Sequence, residues 1–131
     1  MRPALLMVLA CTLATVARAY EPAVNYMLQC MGCHTSDGSG EPGRVPSIRD
    51  TVLPFARLPA GRRYIVQVPG SAQSTLSDAE LAALLNWMIV ELGHGTPQAF
   101  APFTAAEVAQ YRRTPLTDVR SERERLLALT H

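Results

Sequence analysis

The sequence contains no lysine; all twelve basic residues are arginine, against eleven carboxylates, for a formal net charge of +1. Such an even balance gives no footing for binding a phosphate backbone, which sets nucleic acid aside as a partner. There is no apolar run approaching the roughly 20 residues that a membrane-spanning helix takes. Cysteine is scarce, and Cys30 and Cys33 lie too close together to brace a large loop as a disulfide. Methionine and histidine are missing altogether from positions 35–87. The 131 residues leave room for one ordinary domain.

What is present begins with a targeting pattern. Met1-Arg2-Pro3 precedes an apolar stretch over residues 4–17, broken only by Cys11, Thr12 and Thr15, and Ala17-Arg18-Ala19 follows. A positive start, a short apolar centre and a small-residue cleavage site describe a secretory signal peptide over residues 1–19. Cleavage after Ala19 would leave residues 20–131 with no transmembrane anchor. A rival use of the segment is lipid attachment at Cys11, but the ten residues ahead of it are too few for a signal's charged and apolar parts.

Pro22 opens a short helix that runs through Ala23-Val24-Asn25-Tyr26-Met27-Leu28-Gln29 to Cys30. Residues 35–44, with Gly38, Gly40, Pro42 and Gly43, read as a loop. Prolines and glycines interrupt apolar clusters over residues 45–75, so loops and at most one short helix are expected there. Ser77-Asp78-Ala79-Glu80 is a capping box, and Leu81, Leu84, Leu85, Met88 and Leu92 follow on one helical face. Gly93 is the expected left-handed stop, and Pro97 prevents resumption. A second capping box, Thr104-Ala105-Ala106-Glu107, opens a helix through Arg112, and Pro115 ends it. A last helix is expected from Asp118 to Leu129.

Cys30-Met31-Gly32-Cys33-His34 is the attachment pattern for c-type haem. Two thiols at this spacing reach adjacent vinyl groups on one haem edge, and the next imidazole falls beneath the iron as an axial ligand. A thioredoxin-like pair would want a βαβ frame, and a structural zinc would want two more cysteine or histidine ligands; the sequence supplies neither. Export agrees with this use, because the attachment takes place outside the cytoplasm.

On these residues the chain resembles the small class I monohaem c-type cytochromes of bacterial periplasms. The resemblance covers residues 20–92: the helix entering the motif, the glycine-rich loop with Val45-Pro46-Ser47-Ile48, and the late helix after Leu76-Ser77-Asp78. It implies an all-α fold, with a small cytochrome c-like haem domain at 20–95 and a helical C-terminal extension at 96–131. It implies one covalent haem c bound at Cys30, Cys33 and His34, with His34 the iron ligand, and a periplasmic location. It also implies that the Pro46 carbonyl accepts the proton on the second nitrogen of His34, which would fix the ring and strengthen it as a donor. A plain loop proline is the alternative.

The resemblance fails at one place. Such cytochromes usually carry a methionine ligand just ahead of the late helix, and Val68 of Val66-Gln67-Val68-Pro69-Gly70 stands where it is expected. Met88, His94, His131, Gln67 and Gln73 are the substitutes, with an open or water-filled distal face as the leading expectation. For Met88 the competing use is core packing. For His94 it is service to the last carbonyls of its helix, and His131 as the final residue would fray. Without methionine opposite histidine the potential should be lower.

Tyr64 and Trp87 are candidates for packing on haem, against ordinary core roles. Arg44, Arg49, Arg57, Arg62 and Arg63 are candidates for holding propionates or orienting an acidic redox partner, against a merely solvated face. Tyr26, Glu21 and Asp37 lie near the motif without forming a catalytic set. The leading expectation is therefore an electron carrier, not an enzyme, serving a periplasmic dehydrogenase or oxidase. The alternatives are a haem-based sensor or peroxidase-like protein with an open iron, with Gln67, Gln73 or Arg62 on its distal side, and an accessory haem subunit docked through its C-terminal helices.

Overall fold

The computed structural model describes residues 19–130. The expected signal segment, apart from Ala19, together with Cys11 and His131, lies outside these. The described chain is all-α: eight helices, with no strand beyond an isolated bridge between Glu41 and Val45. Among the described residues no helix is long and apolar enough to cross a membrane.

Helix α1, Pro22–Gln29, starts on its proline as expected, because a first-turn residue has no intrahelical use for its N–H. A single turn, α2, Met31–His34, follows, in which the Cys33 and His34 amides both donate to the Cys30 carbonyl. Offsets of three and four residues put Cys30, Cys33 and His34 on one side of that turn. The loop that follows closes back on itself. Gly40 takes a positive φ of 72°, and a β-carbon there would strike the carbonyls of Val45 and Pro46, so only glycine lets the loop bring Pro46 in.

The middle of the chain departs from the expectation of loops. It forms α3, Val52–Ala56, α4, Pro59–Gln67, and α5, Pro69–Ala72. Pro59 and Pro69 open helices rather than break them, since each occupies the first helical position. Gly61, inside α4, is required by packing: a β-carbon would overlap the Phe55 backbone of α3.

Helix α6, Asp78–Glu91, carries the full capping box, with Glu80 N–H donating to Ser77 Oγ at 3.2 Å and Ser77 N–H donating to the Glu80 carboxylate at 2.9 Å. Its end differs from expectation. His94, not Gly93, takes the left-handed conformation (φ 53°), and Gly93 is glycine because Val52 of α3 packs against it. In α7, Ala105–Tyr111, only half the second box forms. Thr104 Oγ1 accepts from the Glu107 N–H, but the Glu107 carboxylate pairs with Arg62 of α4 at 2.6 Å instead of reaching back. Helix α8, Val119–Thr130, is capped by Asp118, which accepts from the Ser121 N–H at 3.0 Å.

One core joins all of this. Helices α1 and α6 pack through Tyr26 and Trp87, whose ring centroids are 5.5 Å apart. The leucine face of α6 is buried as its periodicity requires. Phe103, Val108 of α7 and Leu126 of α8 belong to the same buried cluster, so the C-terminal helices complete the core rather than hang from it.

Candidate functional site

The loop 35–51 and helices α3, α4, α5, α6 and α8 enclose a cavity of about 300 Å³ with the motif turn on its wall. Cys30, Cys33 and His34 all line it. Val52 and Phe55 of α3, Tyr64 and Ile65 of α4, Val68 at the end of α4, and the α6 leucines make most of the remainder apolar. Both cysteines are free thiols, Cys33 exposed and Cys30 half-buried. Burial first, and the neighbouring Cys33 second, push the Cys30 thiol up to about 11.

The histidine is held from behind. Tyr26, 2% exposed, donates its hydroxyl to the carbonyls of Thr35 at 2.8 Å and His34 at 3.1 Å, which fixes the backbone that presents the imidazole. Burial chiefly pushes the phenol up to about 12, so it remains a donor. His34 itself is held below the ordinary histidine range. Burial is the main cause, with Arg123 acting in the same direction and the Pro46 carbonyl against it. A neutral imidazole is the form that ligates a metal. Pro46 lines the cavity, and its carbonyl stands close enough to the ring to favour its proton, as the resemblance implied. It falls short of a full hydrogen bond, since His34 Nδ1 is buried with no partner at bonding distance.

The donor set suits a covalently held haem. Two thiols at the motif spacing, an imidazole on the same wall, and apolar surroundings meet what a porphyrin edge, an iron and a macrocycle each require. Among the described residues, no three His, Cys, Asp or Glu side chains gather as a structural zinc would need.

Of the arginines considered from sequence, Arg44 pairs with Glu41, Arg49 with Asp37, and Arg57 donates to the Ala99 carbonyl. Arg62 binds Glu107 and the carbonyls of Ala56, Ala101 and Pro102. None of these four, nor Arg63, lines the cavity. The arginine that does is Arg123 of α8. It touches Thr51 Oγ1 at 3.4 Å, stands 5.7 Å from the centre of the Phe55 ring, and is in no ion pair with a described carboxylate. A half-buried guanidinium at an apolar cavity is a ready partner for a carboxylate on a ligand. Sequence did carry a signal for it: Val119, Arg123 and Leu126 share one face of the last helix.

Tyr64 lines the cavity, edge-on to Phe55 at 5.5 Å, whereas Trp87 does not line it and packs on Tyr26 instead. Among the described substitutes for the missing methionine, only Met88 reaches the cavity. His94 is exposed beyond the end of α6, and Gln67 and Gln73 do not line the cavity. Val68 lines it where the methionine was expected.

No protein-family model matches the chain. Two proteins of similar sequence carry one name. One cytochrome c-552 of Thermus thermophilus is 31% identical over 135 aligned positions, spanning 87% of this chain and 91% of that protein. A second cytochrome c-552, also from Thermus thermophilus, is 33% identical over 119 positions, spanning 75% of this chain and 91% of that protein. A likeness over 87% of the chain cannot stop at residue 92: it runs on through α7, further than the sequence-based resemblance was placed.

Proposed function

This chain belongs to the class I monohaem c-type cytochromes, and on that premise we propose that it is a periplasmic one-electron carrier with a single haem c. Cys30 and Cys33 attach the haem and His34 ligates its iron. The observation that carries this reading is the convergence of those three side chains on one wall of an otherwise apolar cavity. Bound there, haem supplies the reversible gain and loss of one electron.

The chain's own residues do the rest. Tyr26 fixes the His34 backbone, so the imidazole does not have to reorient when charge changes. The apolar walls keep water from the reacting centre, and Arg123 offers its charge to a haem carboxylate. Cys33, the exposed member of the pair, places one haem edge at the surface, where a periplasmic dehydrogenase or oxidase would meet it. The accessory-subunit reading has less support, because α7 and α8 already spend Val108 and Leu126 on this chain's own core.

The test is the haem-loaded protein under potentiometric control. Mass spectrometry should give one covalent haem per chain, and the reduced and oxidised spectra should interconvert reversibly with a one-electron slope. A mass showing two haems, or reduction that does not reverse, overturns the reading.

A further inference from the structure

We propose that Arg112 is a positioning residue for the redox centre: it holds the segment 68–78 in place at the cavity, and so sets how much water reaches the iron. The inference rests on the haem reading above. Four residues of that segment, Val68, Gly70, Ser71 and Ser74, line the same cavity as Cys30, Cys33 and His34.

The segment has little to keep it in place by itself. Helix α5 is a single turn, and residues 73–77 between it and α6 form no regular structure. The last carbonyls of so short a helix have no partner within it. Among the described residues, the carbonyls of Ala72, Ser74 and Leu76 accept from no backbone N–H.

Arg112 supplies what is missing. A guanidinium carries five N–H donors in a rigid plane, and here all of them are spent on residues 72–78. Nε donates to the Ala72 carbonyl at 3.3 Å. Nη1 donates to the Leu76 carbonyl at 2.8 Å and to Asp78 Oδ1 at 2.9 Å. Nη2 donates to the Ser74 carbonyl at 2.8 Å and to Ser74 Oγ at 3.4 Å. The Ser74 hydroxyl in turn donates to the Ser71 carbonyl at 3.0 Å, so the hold extends to two residues of the cavity wall.

The arginine is itself firmly seated. It closes α7, where its N–H donates at 3.0 Å to the carbonyl of Val108, a fully buried residue. Its side chain is largely buried, at 17% exposure. Just beyond, the Leu116 N–H donates to the Gln67 carbonyl at 2.9 Å, next to Val68. The cavity-lining segment is thus tied at both ends to one stretch of the C-terminal chain.

The consequence for electron transfer follows from hydration. Water that reaches the iron favours its more highly charged ferric state and lowers the potential. The Arg112 charge is offset by Asp78 at 2.9 Å, so the arginine acts through the segment rather than through its field.

The experiment uses the full haem-loaded chain and sets Arg112→Ala beside a double variant, Arg112→Ala with Asp78→Asn, which leaves the net charge unchanged. At the wild-type midpoint potential the ferrous-to-ferric ratio is one, and in both variants it should fall about threefold or more. The hydrogen-bonded amides of residues 71–74 should exchange with deuterium about tenfold faster, while those of α1 keep their rates. Arg112→Lys keeps the charge but offers its donors from a single point, so it should lie between wild type and Arg112→Ala. It takes the place of Arg112→Ala should that variant not take up haem.

The proposal is overturned if the haem-loaded variants hold the wild-type ratio, or if amides 71–74 exchange as in wild type. Recovery of the wild-type ratio in the double variant would also overturn it, by showing that the Arg112 charge acts through its field alone. A wild-type chain carrying no covalent haem would overturn the electron-carrier reading and this proposal with it.

Discussion

The most consequential single residue after the motif is Tyr26. It is 2% exposed, and its hydroxyl satisfies two carbonyls behind His34, the proposed iron ligand. Tyr26→Phe keeps the ring that packs on Trp87 and orphans both acceptors, so it should cost about 1–3 kcal/mol in denaturant unfolding. Arg123 is the second case. If its charge sits beside a haem carboxylate, removing it favours the oxidised iron, so Arg123→Leu should lower the midpoint potential by on the order of tens of millivolts. Potentiometry at one pH and ionic strength measures it. Arg44→Leu, which breaks only an exposed pair with Glu41, should leave the potential where it was.

Between elements, the tie that matters is Arg62 of α4 to Glu107 of α7. The guanidinium makes a two-point pair at 2.7 and 2.6 Å, covers the Phe103 ring at 4.0 Å, and takes three carbonyls besides. Both side chains are largely buried, at 13% and 19% exposure, so losing one leaves the other desolvated and unpaired. Arg62→Ala should therefore cost about 3 kcal/mol in urea unfolding, and Glu107→Gln, which keeps an acceptor for the guanidinium, clearly less. A double-mutant cycle between the two positions separates the pair from the carbonyl contacts. The tie also explains the half-formed cap of α7. A carboxylate in a partly buried pair with arginine gains more than one reaching back to an exposed amide.

For the molecule as a whole, the question is whether the last helix is an appendage. Its Leu126 is fully buried in the common core, and Val119 and Arg123 line the cavity. A chain ending at Leu116 would lose that leucine and open the cavity wall. It should unfold with more than about 3 kcal/mol less stability, read as a lowered melting temperature of the haem-loaded protein. A truncated protein that melts like the full chain would show α8 to be dispensable. Helix α8 is thus part of the cavity wall and α7 part of the same core, and the similarity to one of the Thermus proteins running through α7 agrees with one continuous fold.

The sequence by itself determined what is local. Cys30, Cys33 and His34 declare their chemistry through spacing alone, because offsets of three and four put them on one side of a single turn. Ser77 and Glu80 announced the start of α6, and the leucines after them its buried face, since capping and periodicity depend on neighbours in the chain. Position by position, Val68 marked the missing methionine. The structure decided whatever depends on distance across the fold. Pro59 and Pro69 look alike as breakers and starters until the chain on either side is placed. Gly93 and His94 exchanged roles because Val52, some 40 residues away, needed the space. Which of the ten arginines after residue 19 would face the cavity was likewise beyond any local pattern. Five near the motif in sequence were set aside, and Arg123, from the far end of the chain, was brought in by the burial of Leu126 one turn further along its helix.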